Sequence, residues 1–282
     1  MTGEGIGLEL LMPLMTDIRK VLLPLVWQRH LITNIAEINR RAAIEEVAKR
    51  TPDNPCLKAF RVYSQTDEDG IIEEIFRRIG GGKTFIEIGC GDGLENNTHY
   101  LLLKGWSGRW IDGDTKSISR IQRNLPNNPG RLRVEKMFID IENIGSIASD
   151  VDFLSLDIDG NDLHILKKFL EAARPKVICV EYNAKFPPPL PISVKYDKAH
   201  RWKEDDHMGA SLQAFADLLT EYQLVCCGLG GLNAFFVRKE FTSAFSTYPI
   251  EVLYQPFRIE LFHPHSGHPP SYGFLANELA HH

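Results

Sequence analysis

The chain has 282 residues, 43% of them hydrophobic, enough to bury a full core as one large domain or two small ones. Its formal net charge of −5 gives no general attraction to a phosphate backbone or an anionic lipid surface, so no nucleic-acid partner is expected. Five cysteines, an odd number without regular spacing, fit a reducing compartment and predict a cytoplasmic protein rather than a disulfide-framed one.

Residues 1–58 read as an N-terminal helical extension. Leu8–Trp27 is rich in Leu, Met and Val, but Asp17, Arg19 and Lys20 interrupt it. It predicts an amphipathic helix packed on its own domain or on a partner subunit, not an integral membrane span, and no signal peptide is expected ahead of it. Leu31, Ile35, Ile38 and Ala42 continue at helical spacing, with Arg40, Arg41, Glu45 and Glu46 largely off that stripe. These helices are expected to form a lid or a homodimerisation arm. Thr51-Pro52-Asp53-Asn54-Pro55 then breaks the helix and marks the boundary to a core domain over residues 59–240.

Ser64–Asp69 precedes a helix whose apolar face is Ile71, Ile72, Ile75, Phe76 and Ile79, with acids in its first turn. The segment either caps that helix or sends Gln65 and Asp69 to a ligand. Thr84–Glu87 is a short apolar run that opens into Gly89-x-Gly91-x-Gly93. A buried parallel strand has this form, and glycines behind it let the backbone turn and approach a ligand closely. Leu94 stands where a dinucleotide fingerprint needs its third glycine, which disfavours NAD.

Gly108–Ile111 is a second strand ending in Asp112-Gly113-Asp114, and Asp112 lies where a nucleotide-binding unit places an acid for the ribose hydroxyls. After a helix over 116–124, a third strand over 131–137 leads to Asp140, which either takes an adenine amino group or caps the next helix. A fourth strand, Phe153–Leu156, delivers Asp157 and Asp159. The fifth ends in Glu181 and Asn183. Strands four and five are expected side by side, so Asp159, Glu181 and Asn183, with Asp157, would make an oxygen-rich cluster suited to Mg²⁺; without a metal they would orient a polar substrate.

Residues 186–208 form a long, proline- and aromatic-rich insertion that predicts an ordered lid, with His200 and His207 as candidate bases. A helix over 211–221 and two closing strands, Leu224–Cys227 and Asn233–Arg238, complete the pattern. Residues 241–282 read as irregular, and the histidines of HPHSGHPP lack helical or finger spacing.

The arrangement Glu87-x-Gly-x-Gly-x-Gly resembles the first motif of class I S-adenosylmethionine (SAM) methyltransferases. That resemblance implies a Rossmann-like α/β fold with a seven-stranded, mostly parallel sheet. It also implies a glycine loop beneath the methionine part of the cofactor and an acid facing its ammonium side. Within that class, SQTDEDG, FIEIGCGDG, FLSLDIDGNDLHIL, ICVEYN and GASL with NAFFVR are similar to the FkbM-type family over about residues 63–238. Many members carry Glu where this chain has Asp159. The family resemblance implies O-methylation of a small hydroxyl acceptor, often a sugar, polyketide or other secondary metabolite. On that basis Gln65, Glu87, Gly89, Gly91, Gly93, Asp112, Asp140 and Asp157 are expected at SAM, and Asp159 or His207 at the acceptor's proton. Two other classes stay open: a metal-dependent glycosyltransferase built on Asp157-Ile-Asp159, and a non-catalytic interaction module on the same fold.

Overall fold

Seven short strands form one sheet in the order β3-β2-β1-β4-β5-β7-β6 in the computed structural model, which describes residues 11–128, 130–262 and 269–281, with residues 11–30 as backbone only. They are β1 (Thr84–Ile88), β2 (Ser107–Asp112), β3 (Leu132–Lys136), β4 (Phe153–Leu156), β5 (Val177–Glu181), β6 (Tyr222–Cys227) and β7 (Asn233–Arg238). The first five pair in parallel, and β7 runs antiparallel between β5 and β6. This is the class I architecture expected from the sequence.

Parallel strands need crossovers, and helices in and around them cover both faces of the sheet. They are α1 (Leu11–Arg50), α2 (Glu68–Ile79), α3 (His99–Leu103), α4 (Thr115–Asn124), α5 (Asp162–Phe169), α6 (Leu212–Leu218), α7 (Ile250–Leu253) and α8 (Gly273–Ala280). Side chains alternate along each strand, so Phe85, Trp110 and Phe153 meet α2, α3, α4 and α8 on one face. Ile86, Ile111 and Leu154 meet α5 and α6 on the other. Strand ends that carry the candidate site therefore project from between two packed layers.

Only the last turns of α1 join the core. Ala43 and Val47 are buried, whereas Leu31, Ile35 and Ile38 are 60%, 48% and 66% exposed. That stripe faces solvent, because α1 runs beyond the domain edge before Thr51 stops it. At that stop, Thr51 Oγ1 donates to Val47 O, and Asn54 Oδ1 accepts from Cys56 N to cap a 3-10 turn over Pro55–Lys58. The amphipathic reading of Leu8–Trp27 lies outside the described side chains. Among the described residues, no helix is long and apolar enough to cross a membrane.

The segment 241–282, expected to be irregular, carries α7, a 3-10 turn at Ile259–Leu261 and α8. Leu275 and Leu279, one turn apart, drop into the core beside Leu101 and Leu102, and two anchors on so short a helix leave little periodicity to read. Residues 263–268, which hold most of HPHSGHPP, lie outside the described residues.

Candidate active site

A cavity of about 1170 Å³ opens at the C-terminal ends of the parallel strands, where ligands of open α/β sheets bind. Its floor runs from Gly89 and Gly91 across Asp112 to Asp157, Asp159 and Glu181.

At the first end, the loop after β1 is a cradle that tolerates no side chains. Gly89 has φ +85°, and a Cβ there would lie 1.6 Å from the Asp157 carbonyl oxygen. Gly91 has φ +54° and lines the cavity, and a Cβ there would meet no protein atom within 4 Å, so the space beside it is open. Asp112, at the end of β2, accepts from Gly91 N–H at 2.8 Å and from Asp114 N–H at 2.7 Å, and still faces the cavity. Gln65 also lines the cavity.

Three expected cofactor acids sit elsewhere. Glu87 shares a face of β1 with Phe85, so it points into the layer of α2 and α3 rather than into the cavity. There it accepts from Asn96 Nδ2 at 2.8 Å, Asn97 N–H at 2.8 Å and Thr98 Oγ1 at 2.5 Å. Burial pushes its carboxyl up to about 7, against donors that favour the ionised form. Asp69 Oδ2 takes the backbone N–H groups of Val62, Tyr63 and Ser64 and the Ser64 hydroxyl, which ties the segment ahead of α2 to that helix's first turn. Asp140 Oδ1 caps the following turn through Glu142 and Asn143 N–H, and its Oδ2 pairs with Lys198 at 2.7 Å. That pair holds the carboxyl below its usual range.

At the other end, ligand atoms of Asp157, Asp159 and Glu181 lie within 4.8 Å of one another. Asp159 adopts φ +57°, a left-handed conformation unusual outside glycine and one that concentrates at functional sites. Asp157 and Glu181 share a hydrogen bond. Burial, then the charges of Asp162 and Asp159, push Asp157 up to about 8; burial and the Asp157 charge push Glu181 well above its usual value. Burial also raises Asp159, with His200 pulling the other way. Among the described residues, no lysine or arginine forms an ion pair with these three carboxyls.

Asn183 does not join the trio. Its amide nitrogen donates to the Asp206 and Met208 carbonyls, and its oxygen accepts from Lys185 N–H, so it ties down the lid. The two lid histidines stay side by side, ring centroids 5.7 Å apart, but only one of them lines the cavity. His207 is exposed and outside the cavity lining, because Asp205 Oδ1 holds its backbone N–H in a surface turn. His200 lines the cavity instead and packs so closely on Gly160 that a Cβ there would sit 2.3 Å from its Cδ2.

The lid is ordered and docked at several points. Asn161 Nδ2 donates to Asp197 O at 2.9 Å, Lys198 pairs with Asp140 and Glu142, and the Arg201 guanidinium lies 4.2 Å over the Phe138 ring. Phe257 and Ile259, from the segment expected to be irregular, complete the cavity wall. Tyr182 Oη donates to Gln255 O and Tyr254 Oη to Ala184 O, which hold that wall against β5. No spacing in residues 254–259 signals this role.

Residues 72–205 match the model of the methyltransferase FkbM domain. No curated protein sequence matches the chain. Among solved structures, the N-terminal domain of EvdMO1, crystallised in the presence of SAH and D-fucose, is similar over 72% of this chain and 99% of its own, at 13% identity and a TM-score of 0.44. TehB from Haemophilus influenzae is similar over 61% of this chain and 68% of its own, at 14% identity and a TM-score of 0.38. The methyltransferase domain of bacterial CtHen1-C covers 61% of this chain and 97% of its own, at 14% identity and a TM-score of 0.40. The matched segment spans every strand end that floors the cavity, so residues 72–205 form an FkbM-type, SAM-dependent methyltransferase domain.

Proposed function

We propose that the protein methylates an oxygen of a small hydroxyl-bearing acceptor, a sugar or another secondary metabolite, seated over Asp157, Asp159 and Glu181, with a divalent cation such as Mg²⁺ held by those three carboxyls. The observation that carries this reading is the convergence of three carboxyls in the cavity without a basic ion-pair partner. Such a set is costly unless a cation neutralises it, and hard oxygen donors at this spacing suit Mg²⁺.

SAM, when bound, supplies a methyl group on a sulfonium, so the protein's own work is placement and proton removal. Gly89 and Gly91 would receive its methionine part and Asp112 its ribose hydroxyls, whereas Gly93, also expected at the cofactor, is buried against the Trp110 ring and outside the cavity lining. As the carbon–oxygen bond forms and the carbon–sulfur bond breaks, the acceptor's proton must leave. Asp159 faces the cavity with His200 close enough for their charges to interact, and this pair is the proton's destination. A cation on the carboxyls would lower the acceptor hydroxyl's pKa. The exposed stripe on α1 supports a homodimer joined through those helices.

Titration of Mn²⁺ and of SAH into the wild-type protein and Asp159→Ala tests the reading. The expected result is one Mn²⁺ site weakened at least tenfold in the variant and an SAH affinity within about twofold of wild type, with methyl transfer to hydroxyl acceptors reduced at least roughly 100-fold. Loss of SAH binding would instead move Asp159 to the cofactor, and a wild-type protein without a Mn²⁺ site would remove the metal from the mechanism.

A further inference from the structure

Among the contacts that hold the glycine loop, one comes from a part of the chain beyond the family match. Asp112 on β2 accepts from Gly91 N–H, and Arg120 on α4 pairs with the Asp92 carboxylate. Tyr272, at the head of α8, donates its hydroxyl to the Asp92 carbonyl at 2.5 Å. The Arg120 pair is half exposed and correspondingly weak. Tyr272 is 8% exposed, and burial pushes its hydroxyl up to about 12, so it stays a donor across the physiological range.

The seat of this tyrosine is firm. Leu275 and Leu279 are buried against α3, Asn128 Nδ2 donates to Leu279 O at 2.7 Å, and Arg131 reaches Glu278. The loop it touches has ties of its own, Gly93 N–H to Cys90 O at 3.0 Å and His99 Nδ1 to Gly93 O at 2.6 Å, but neither reaches the Asp92 carbonyl. Gly91 and Gly93 flank Asp92 with φ +54° and +73°, and neither has a side chain to lock the backbone. Asp92's own side chain reaches only the Leu94 N–H and Arg120. Rotation of the Asp92–Gly93 peptide would therefore move the floor beside Gly91, and the Tyr272 hydroxyl opposes it.

We propose that Tyr272 is a positioning residue for the cofactor site: its hydroxyl fixes the Asp92 peptide and so holds the glycine loop in the shape that takes SAM. This rests on the reading that residues 89–93 cradle the cofactor. The segment after the last strand is then a working part of the SAM site, although it lies outside the matched domain.

Calorimetric titration of SAH into the full-length wild type, Tyr272→Phe and Gly91→Ala tests both levels. Tyr272→Phe keeps the buried ring and removes one hydrogen bond, so SAH affinity should fall about five- to tenfold while the melting temperature of the ligand-free protein moves by no more than about 4 °C. A lower melting temperature with unchanged SAH affinity marks a merely structural contact and overturns the proposal. Gly91→Ala places a methyl group in the open space of the cradle and should weaken SAH binding more than Tyr272→Phe does. If Gly91→Ala binds SAH like wild type, the cradle reading fails and the proposal falls with it. If Gly91→Ala weakens binding and Tyr272→Phe does not, only the role of Tyr272 is wrong.

Discussion

Glu87, buried, and Glu181, half-buried, are both carboxylic acids near the C-terminal ends of parallel strands, yet they meet opposite surroundings. Glu87 receives three hydrogen-bond donors and braces residues 96–98, whereas Glu181 meets a second carboxyl, Asp157, and lines the cavity. Partners, rather than residue type or strand position, therefore decide which acid is structural and which is available for chemistry.

The sharpest way to break this contrast is to neutralise each acid in turn. Glu87→Gln turns an amide N–H₂ toward groups that already donate, and should cost about 2–3 kcal/mol, a fall of roughly 5–10 °C in melting temperature. Glu181→Gln can still donate to Asp157 and removes an unneutralised charge, so in chelator its melting temperature should equal or exceed that of wild type. Scanning calorimetry of both variants, with and without Mg²⁺, reads the difference; equal destabilisation by the two would erase the distinction.

A smaller effect separates buried acids by pH. Asp67 is wholly buried, with its carboxyl pushed up to about 7 by burial and then by the Glu68 charge. Its folded pKa lies above the unfolded value near 4, so the folded state holds the proton longer. Its contribution to stability is fully present below about pH 4 and declines as pH rises toward 7. Asp67→Asn, neutral throughout, should flatten part of that decline in melting curves recorded from pH 5 to 8; parallel curves would show that Asp67 does not titrate there.

The smallest expected effect on the fold comes from the region most remote from these acids. Ile35→Glu with Ile38→Glu lies on exposed α1 positions and should shift the melting temperature by no more than about 2 °C. If α1 joins two copies, the same change should halve the mass in analytical ultracentrifugation, and an unchanged mass would remove that helix from any assembly.

Much of the sheet was readable in advance because parallel strands buried on both faces leave short, β-branched and aromatic runs such as FLSL and VICVE. The glycine loop and the neighbouring acids on β4 and β5 followed from the same strand ends. The direction of single side chains did not. Whether Glu87 faces α3 or the cavity depends on strand phase at one residue, and Asp69 and Asp140 differ from Asp112 only in which backbone N–H groups reach them. The choice between His200 and His207, whose rings lie side by side, depends on the path of a long insertion that carries no periodicity and leaves only the first in the cavity lining. The wall from Phe257 and Ile259 was hidden for a similar reason, since tertiary hydrogen bonds from Tyr182 and Tyr254 hold it in place.

One feature of the sheet also constrains how the protein is made. Strand β7 lies between β5 and β6, so the outer edge of β5 remains open until residues 233–238 have left the ribosome. The five parallel strands can assemble earlier, but Glu181 gains its flanking neighbour, Asn233, only then. The Glu181 side of the cleft consequently gains its sheet neighbour late in synthesis, and a nascent chain halted before that point exposes a sticky, half-built sheet margin for chaperones to guard.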